Sequence, residues 1–219
     1  MWPMAPPDLL RHALVWLKPG ATWITLPGSS SRCLLDWFVA GRPAMVARRQ
    51  GDEPADFLRL GVALPPSHQG KRRLSVAVHS SCIERSRAPL SLSEVIECCP
   101  SDWIGHLQLL NSLTRCTKVQ PRVYGSFAWQ ALTRERYVGE DSDIDLLWDP
   151  GSAAEIAALV ATLTQWERSV QRRADGEVLM SNGDAVCWRE LAGESKHVLV
   201  KSQSTVALRS RAEVLARFA

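Results

Sequence analysis

Val123-Tyr-Gly-Ser-Phe-Ala-Trp-Gln130, followed closely by Asp141-Ser-Asp-Ile-Asp-Leu-Leu-Trp148, is the stretch on which the reading of this chain turns. The first segment predicts a strand ending at Tyr124 and a helix opening at Gly125-Ser126 and running to about Thr133. The second predicts an apolar strand carrying Asp143 and Asp145 two residues apart. Side chains alternate along a strand, so both carboxylates are expected on one face. Like charges that close in a hydrophobic strand are destabilising unless something compensates them. A divalent cation is a fitting compensator, and a Gly-Ser turn at a helix start is a phosphate cradle. The pairing points to nucleotidyl transfer.

That chemistry needs a nucleophile aligned with a leaving pyrophosphate and neutralisation of the charge on the phosphorus oxygens. Asp143 and Asp145 supply the core of a metal site. Gly125 lets backbone approach a phosphate without a Cβ in the way, and Ser126 adds a hydroxyl beside the helix amides. A third carboxylate is expected from Arg173-Ala-Asp-Gly-Glu-Val178, where Asp175 and Glu177 share one face of a predicted strand. Asp175 is preferred because its shorter side chain holds a metal more rigidly. A DxD pair alone is a weak signal, as is a Gly-Ser before a helix. The order strand, Gly-Ser, helix, DxD strand, later acidic strand is far more specific.

Working outward, 219 residues suffice for one large domain or two small ones. The net charge of +3 is too weak to argue for a nucleic-acid partner. No apolar run approaches the length of a membrane span, and the N-terminus lacks the basic and apolar regions of a signal peptide, so a cytoplasmic protein is expected. The six cysteines show no metal-knuckle spacing, and Cys98 and Cys99 are adjacent, which favours reduced, mostly buried thiols. The nine tryptophans are expected mostly in the core, with stacking on an adenine ring open to one of them.

After a Pro-rich lead-in at 1–10, the first hundred residues read as β-rich with one short helix at 34–40 and a loop at 65–73. Helices are expected next at 92–98 and 102–114. Beyond the central motifs come a helix at 153–169, strands at 172–180, 185–191 and 198–202, and a terminal helix at 206–218. The fold class is α+β: a β-rich domain over 1–100, then an α/β catalytic domain over 101–219. His106 and His197 read as surface or core histidines rather than bases. Arg48-Arg49 and Lys71-Arg72-Arg73 are basic clusters suited to clamping a polyphosphate, and a solvated surface explains them equally well.

Gly125-Ser126 with Asp143 and Asp145 resembles the nucleotidyltransferase superfamily related to polymerase β. More narrowly, RHALVWL at 11–17, the Arg48-Arg49 pair, KRRL at 71–74, VYGSFAWQALT at 123–133 and SDIDLLW at 142–148 resemble the phosphoribosyl-dephospho-coenzyme A transferases. These are the holo-acyl-carrier-protein synthases of malonate decarboxylase. The resemblance spans nearly the whole chain. It implies a nucleotidyltransferase-like second domain with a mixed sheet, and a first domain that recognises substrate or carrier protein. It also implies a reaction: triphosphoribosyl-dephospho-coenzyme A is attacked by a serine of the acyl-carrier subunit of malonate decarboxylase, and pyrophosphate leaves. Asp143 and Asp145 would be the catalytic, Mg2+-binding pair. Gly125 and Ser126 would hold the triphosphate, with Arg48, Arg49, Arg72 and Arg73 as further substrate contacts. The family usually carries Gly where this chain has Arg134, so a different exit from the helix is expected. Other readings are a citrate-lyase-type or small-molecule nucleotidyltransferase, and a non-catalytic carrier-protein-binding module.

Overall fold

Turn residues divide the first ninety positions into short strands that pair only with antiparallel neighbours. The computed structural model describes residues 9–67, 70–115, 117 and 119–218; Trp2, Cys116, the tip of the expected 65–73 loop and most of the lead-in lie outside the described residues. The chain forms two compact units, 1–89 and 90–219. The first comprises β1 (Leu14–Leu17), β2 (Ile24–Thr25), α1 (Ser31–Val39), β3 (Ala44–Val46), β4 (Phe57–Ser67), β5 (Gly70–His79) and β6 (Ile83–Arg87). Its sheet has the order β2-β5-β4-β3-β1-β6. Leu60 pairs with Val76 and Val62 with Leu74, and with Val78 these residues make one buried apolar face.

Ser30 caps α1 by accepting from the Cys33 amide, and Trp37 on its buried face donates its indole N–H to Pro43 O (2.9 Å). The expected loop at 65–73 is instead the two arms of the long β4–β5 hairpin. Pro65 and Pro66 are accommodated where the register shifts between Leu64 and Ser67, a position that does not need their missing amide protons.

The second unit begins at β7 (Leu90–Ser91), 11 residues before the boundary expected from sequence. β7 pairs with β8 (Arg122–Tyr124), and Ser91 closes a capping box with Glu94 on α2 (Leu92–Ile96), so residues 90–100 belong to the second unit. Then come α3 (Ser101–Arg115), α4 (Gly125–Thr133), β9 (Ile144–Trp148), α5 (Ala153–Val170), β10 (Ala174–Leu179), β11 (Ala185–Cys187), α6 (Trp188–Ala192), β12 (His197–Lys201), β13 (Val206–Ser210) and α7 (Arg211–Ala216). The seven-stranded sheet has the order β13-β12-β11-β10-β9-β8-β7 and is mixed: β9 and β10 are parallel and the other pairs antiparallel.

α5 is the crossover between the parallel strands, as such a connection requires. Its Ile156, Leu159, Leu163 and Trp166 recur at helical spacing and are buried, and Trp166 donates to His106 O of α3 (2.7 Å). Gly176 is needed where β10 runs against β9, because a Cβ there would stand 2.3 Å from Leu146 O. Two expected elements are corrected. The strand at 185–191 stops at Cys187 and turns into α6. The expected terminal helix begins as β13, because residues 206–210 pair with 197–201 along their whole length and that ladder outweighs helical propensity. Among the described residues, no helix is long and apolar enough to cross a membrane. Trp103, Trp148 and Trp166 are fully buried core residues, whereas the five described cysteines are free and half-buried rather than mostly buried.

Candidate active site

β8 ends, α4 begins and β9 runs alongside within one short span. Tyr124 lies opposite Asp145 in the β8–β9 pair, and Asp175 lies opposite Asp145 in the β9–β10 pair. Opposed residues share a sheet face, so Tyr124, Asp145 and Asp175 form one row across three strands; Arg122, Leu147 and Glu177 form the next. Gly125 turns the chain from β8 into α4 with φ +68°, a conformation that L side chains rarely adopt. A Cβ at Gly125 would stand 1.8 Å from Oδ2 of Asp145 and 2.6 Å from its Cγ. The Asp145 carboxylate therefore occupies the space the missing side chain leaves open, at the amino end of α4.

Tyr124 gives the first turn of α4 no side-chain cap, and the amides at a helix start have no intrahelical acceptor. Among the described residues, the Ser126 hydroxyl and the Asp143 carboxylate have no hydrogen-bonding partner. Asp143 stands immediately before β9 rather than within it. The strand opens at Ile144, whose amide donates to Arg173 O (3.1 Å).

The exit from α4 corrects the expectation attached to Arg134. This residue itself adopts the left-handed cap (φ 62°, ψ 14°), and its amide donates to Gln130 O (2.8 Å). The loop then returns to the helix: the Gln130 side-chain oxygen accepts from the amides of Tyr137 (3.1 Å) and Val138 (3.0 Å). The approach to Asp143 is thus pinned by a side chain of α4. An arginine in the left-handed region is strained by about 1 kcal/mol. Arg134→Gly should stabilise the second unit by about 0.5–1 kcal/mol, less whatever the exposed contact with the Cys98 thiol contributes. The shift of its urea midpoint checks this.

The two candidates for a third metal ligand are both committed to cations. Oδ1 of Asp175 is 3.6 Å from Nη2 of Arg173 and 3.7 Å from Nε of Arg189. Arg189 is anchored in turn by Glu167 and by its 2.9 Å hydrogen bond to Ala174 O. Glu177, 5% exposed, accepts from Lys201 Nζ at 2.9 Å. Among the described residues, no group of three His, Cys, Asp or Glu side chains is placed to hold a metal ion. Asp143 and Asp145 alone still fit Mg2+, which commonly takes one or two carboxylates and completes its shell with water and substrate phosphates.

In the first unit the basic residues have separate fates. Arg49 is spent on its own loop: Nη1 donates to Ala55 O and Phe57 O (both 2.9 Å), Nη2 to Pro54 O (2.9 Å) and Glu53 O (3.4 Å), and Nε lies 3.5 Å from Glu53. All the guanidinium donors of Arg49 are thus engaged within its own loop. Arg72 and Arg73 lie opposite Leu64 and Ala63 on a continuous strand, so they project to opposite faces and cannot close on one ligand together. Arg48 follows β3 away from both, because β3 meets β4 at Gly61 and Leu60 and continues in the opposite direction. Arg48, Arg72 and Arg73 have no ion-pair or hydrogen-bond partner among the described residues.

The same loop predicts an acid response. A hydrogen bond with Glu53 holds the Asp52 carboxyl below its ordinary value, and the Arg59 guanidinium adds to this against the opposing effect of burial. A lowered carboxylate contributes stability that is present above the unfolded value and lost as pH falls through the folded one, so the loop should loosen only below about pH 4. A carboxyl-carbon NMR titration of Asp52 should show a midpoint below that of a free aspartate.

Comparison with known proteins agrees with this division of the chain. Residues 10–89 match the phosphoribosyl-dephospho-CoA transferase MdcG N-terminal domain, and residues 91–212 match the corresponding C-terminal domain. The chain belongs to the phosphoribosyl-dephospho-CoA transferase family. Curated members named phosphoribosyl-dephospho-CoA transferase are 48% identical over 192 residues in Xanthomonas campestris pv. campestris, covering 87% of this chain and 89% of the relative. A member from Xanthomonas euvesicatoria pv. vesicatoria is 46% identical over 203 residues (92% and 94% covered). One from Bradyrhizobium diazoefficiens is 36% identical over 205 residues (92% and 90%). No solved structure matches. In this transferase-family chain the row partner Tyr124 was missed by sequence reasoning. The signal was there in principle, since the residue ending β8 must face some residue of β9, but which one depends on register.

Proposed function

We propose that this protein transfers the phosphoribosyl-dephospho-coenzyme A group from its triphosphoribosyl precursor to a serine of the acyl-carrier subunit of malonate decarboxylase. The observation that carries the reading is the packing of Asp145 against Gly125, which joins the phosphate-cradle and carboxylate halves of the motif at one place. Membership of the family, along both units, supports the identity of the group transferred.

The serine oxygen attacks the phosphorus nearest the ribose. A phosphodiester bond forms, the bond to pyrophosphate breaks, and the hydroxyl proton passes to water. Asp143 and Asp145 would hold Mg2+, which when bound neutralises charge on the phosphate oxygens and favours the alkoxide of the attacking serine. Gly125 leaves room for the Asp145 carboxylate at the amino end of α4, and beside it the Ser126 hydroxyl and the first-turn amides of α4 would donate to the triphosphate oxygens. In the first unit, Arg48, Arg72 and Arg73, without an ion-pair or hydrogen-bond partner among the described residues, are cations open to substrate or to the carrier, with at most one of Arg72 and Arg73 on a given ligand. The free thiols accord with a reducing, cytoplasmic setting.

Incubation with the precursor, magnesium chloride and the apo-carrier subunit should add the mass of the prosthetic group to the carrier and release one pyrophosphate per transfer. EDTA should stop both. A carrier of unchanged mass would sink the proposal. Transfer to a citrate lyase carrier in preference, or pyrophosphate release from ordinary nucleoside triphosphates, would redirect it to the corresponding nucleotidyltransferase.

A further inference from the structure

Arg122 is the one basic side chain that β8 places on the carboxylate face. Its register partner is Leu147, and the next row along the same face is Tyr124, Asp145 and Asp175. Two residues of strand separate the rows, roughly 7 Å. Arg122 is half-buried, yet among the described residues it makes no hydrogen bond and no ion pair. A guanidinium has five donors, and partly buried donors ordinarily find partners.

The nearest acid in its own row is Glu177, two strands away, and Glu177 is engaged by Lys201 at 2.9 Å. Asp175, in the neighbouring row, is engaged by Arg173 and Arg189. Glu177 and Asp175 thus have cations of their own. The sheet presents an uncommitted planar fork beside the Gly125–Asp145 contact.

Resting on the transferase reading above, we infer that Arg122 binds the triphosphate of the substrate and the pyrophosphate that leaves. Its fork suits two oxygens of one phosphate. The negative charge that develops on the leaving pyrophosphate would be met by a cation already fixed by the strand, which needs no rearrangement during reaction. Arg122 is accordingly a binding residue for the polyphosphate end of the substrate, distinct from the carboxylates that hold the cation.

Two measurements test this. The first is calorimetric titration of the protein with inorganic tripolyphosphate in the absence of metal. Arg122→Gln should weaken binding about tenfold or more, and Arg122→Lys, which keeps the charge but loses the fork, should weaken it by a smaller factor. Arg209→Gln is the control. Arg209 lies opposite the buried Val198 and so faces the other side of the sheet, and this variant should bind like the parent. The second measurement is transfer, where Arg122→Gln should raise KM for the precursor by a factor close to its loss of tripolyphosphate affinity.

Equal tripolyphosphate binding by the parent and Arg122→Gln overturns the inference, as does a parent that binds no tripolyphosphate. If Arg122→Gln fails to fold, the Lys variant decides: unchanged affinity overturns the inference, and a few-fold loss supports it. A role confined to covering Leu147 would shift melting without moving tripolyphosphate affinity, and that outcome also overturns it. Failure of the transferase reading is separate. It appears as a parent that transfers nothing to the carrier, whatever Arg122 does to anion binding.

Discussion

Asp145→Asn is expected to lower transfer by about a thousandfold, roughly 4 kcal/mol of transition-state stabilisation, while leaving the second unit folded. Asparagine has the shape of aspartate and still fits the space above Gly125, so the geometry at the start of α4 is kept. What is lost is the negative charge. In the resting protein that loss is tolerated, because Asp145 lies in register with a second carboxylate, Asp175, and neutralising one of two adjacent acids relieves repulsion. In the proposed reaction the charge is not replaced, because Asp143 would be left as the sole carboxylate facing the cation and the substrate phosphates. Asp143→Asn should behave alike. The measurement is single-turnover transfer to the carrier beside thermal unfolding of the same samples. Substantial activity in either variant would remove that residue from the proposed metal pair.

The second large effect belongs to Gly125→Ala. The new Cβ would meet Asp145 Oδ2 at 1.8 Å, Cγ at 2.6 Å and Cβ at 3.0 Å, in a backbone held at φ +68°. Left-handed strain contributes about 1 kcal/mol, and forcing the carboxylate aside adds roughly 1–3 kcal/mol. The expected loss of stability is therefore about 2–4 kcal/mol. Transfer should fall about as far as in Asp145→Asn, because the displaced carboxylate is the one proposed to hold the cation. A double variant separates the two causes. Adding Asp145→Ala removes the carboxyl atoms that clash, so part of the stability should return while activity stays absent, a non-additive pairing diagnostic of direct contact. If Gly125→Ala unfolds no earlier than the parent and transfers normally, the contact has no bearing on function.

Where sequence pattern and local chemistry agreed, elements were readable in advance. α4 occupies 125–133 as expected, because an apolar strand, a glycine with freedom at positive φ and a run of helix formers succeed one another without conflict. α3 and α5 were legible for the same reason: their buried Trp103, Leu107, Leu110, Leu159, Leu163 and Trp166 recur at helical spacing. Residues 206–210 were not. Their local propensity is helical, and only the ladder with β12 makes them a strand. Lys71-Arg72-Arg73 read as a loop clamp because Pro65-Pro66 looked like a terminator, whereas the hairpin continues on both sides of its tip.

For the site, composition and spacing alone determined that the chain carries a Gly-Ser turn at a helix start and a carboxylate pair close behind it, because both depend on residues near in sequence. Tertiary structure decided what those residues meet. It set Asp145 into the space left by Gly125, tied Asp175 to Arg173 and Arg189, paired Glu177 with Lys201, consumed Arg49 in its own loop and left Arg122 without a partner among the described residues. Each of these depends on strand register or on an ion pair between positions distant along the chain. A shift of one residue in register would move every side chain of a strand to the other face, and no local pattern encodes that choice.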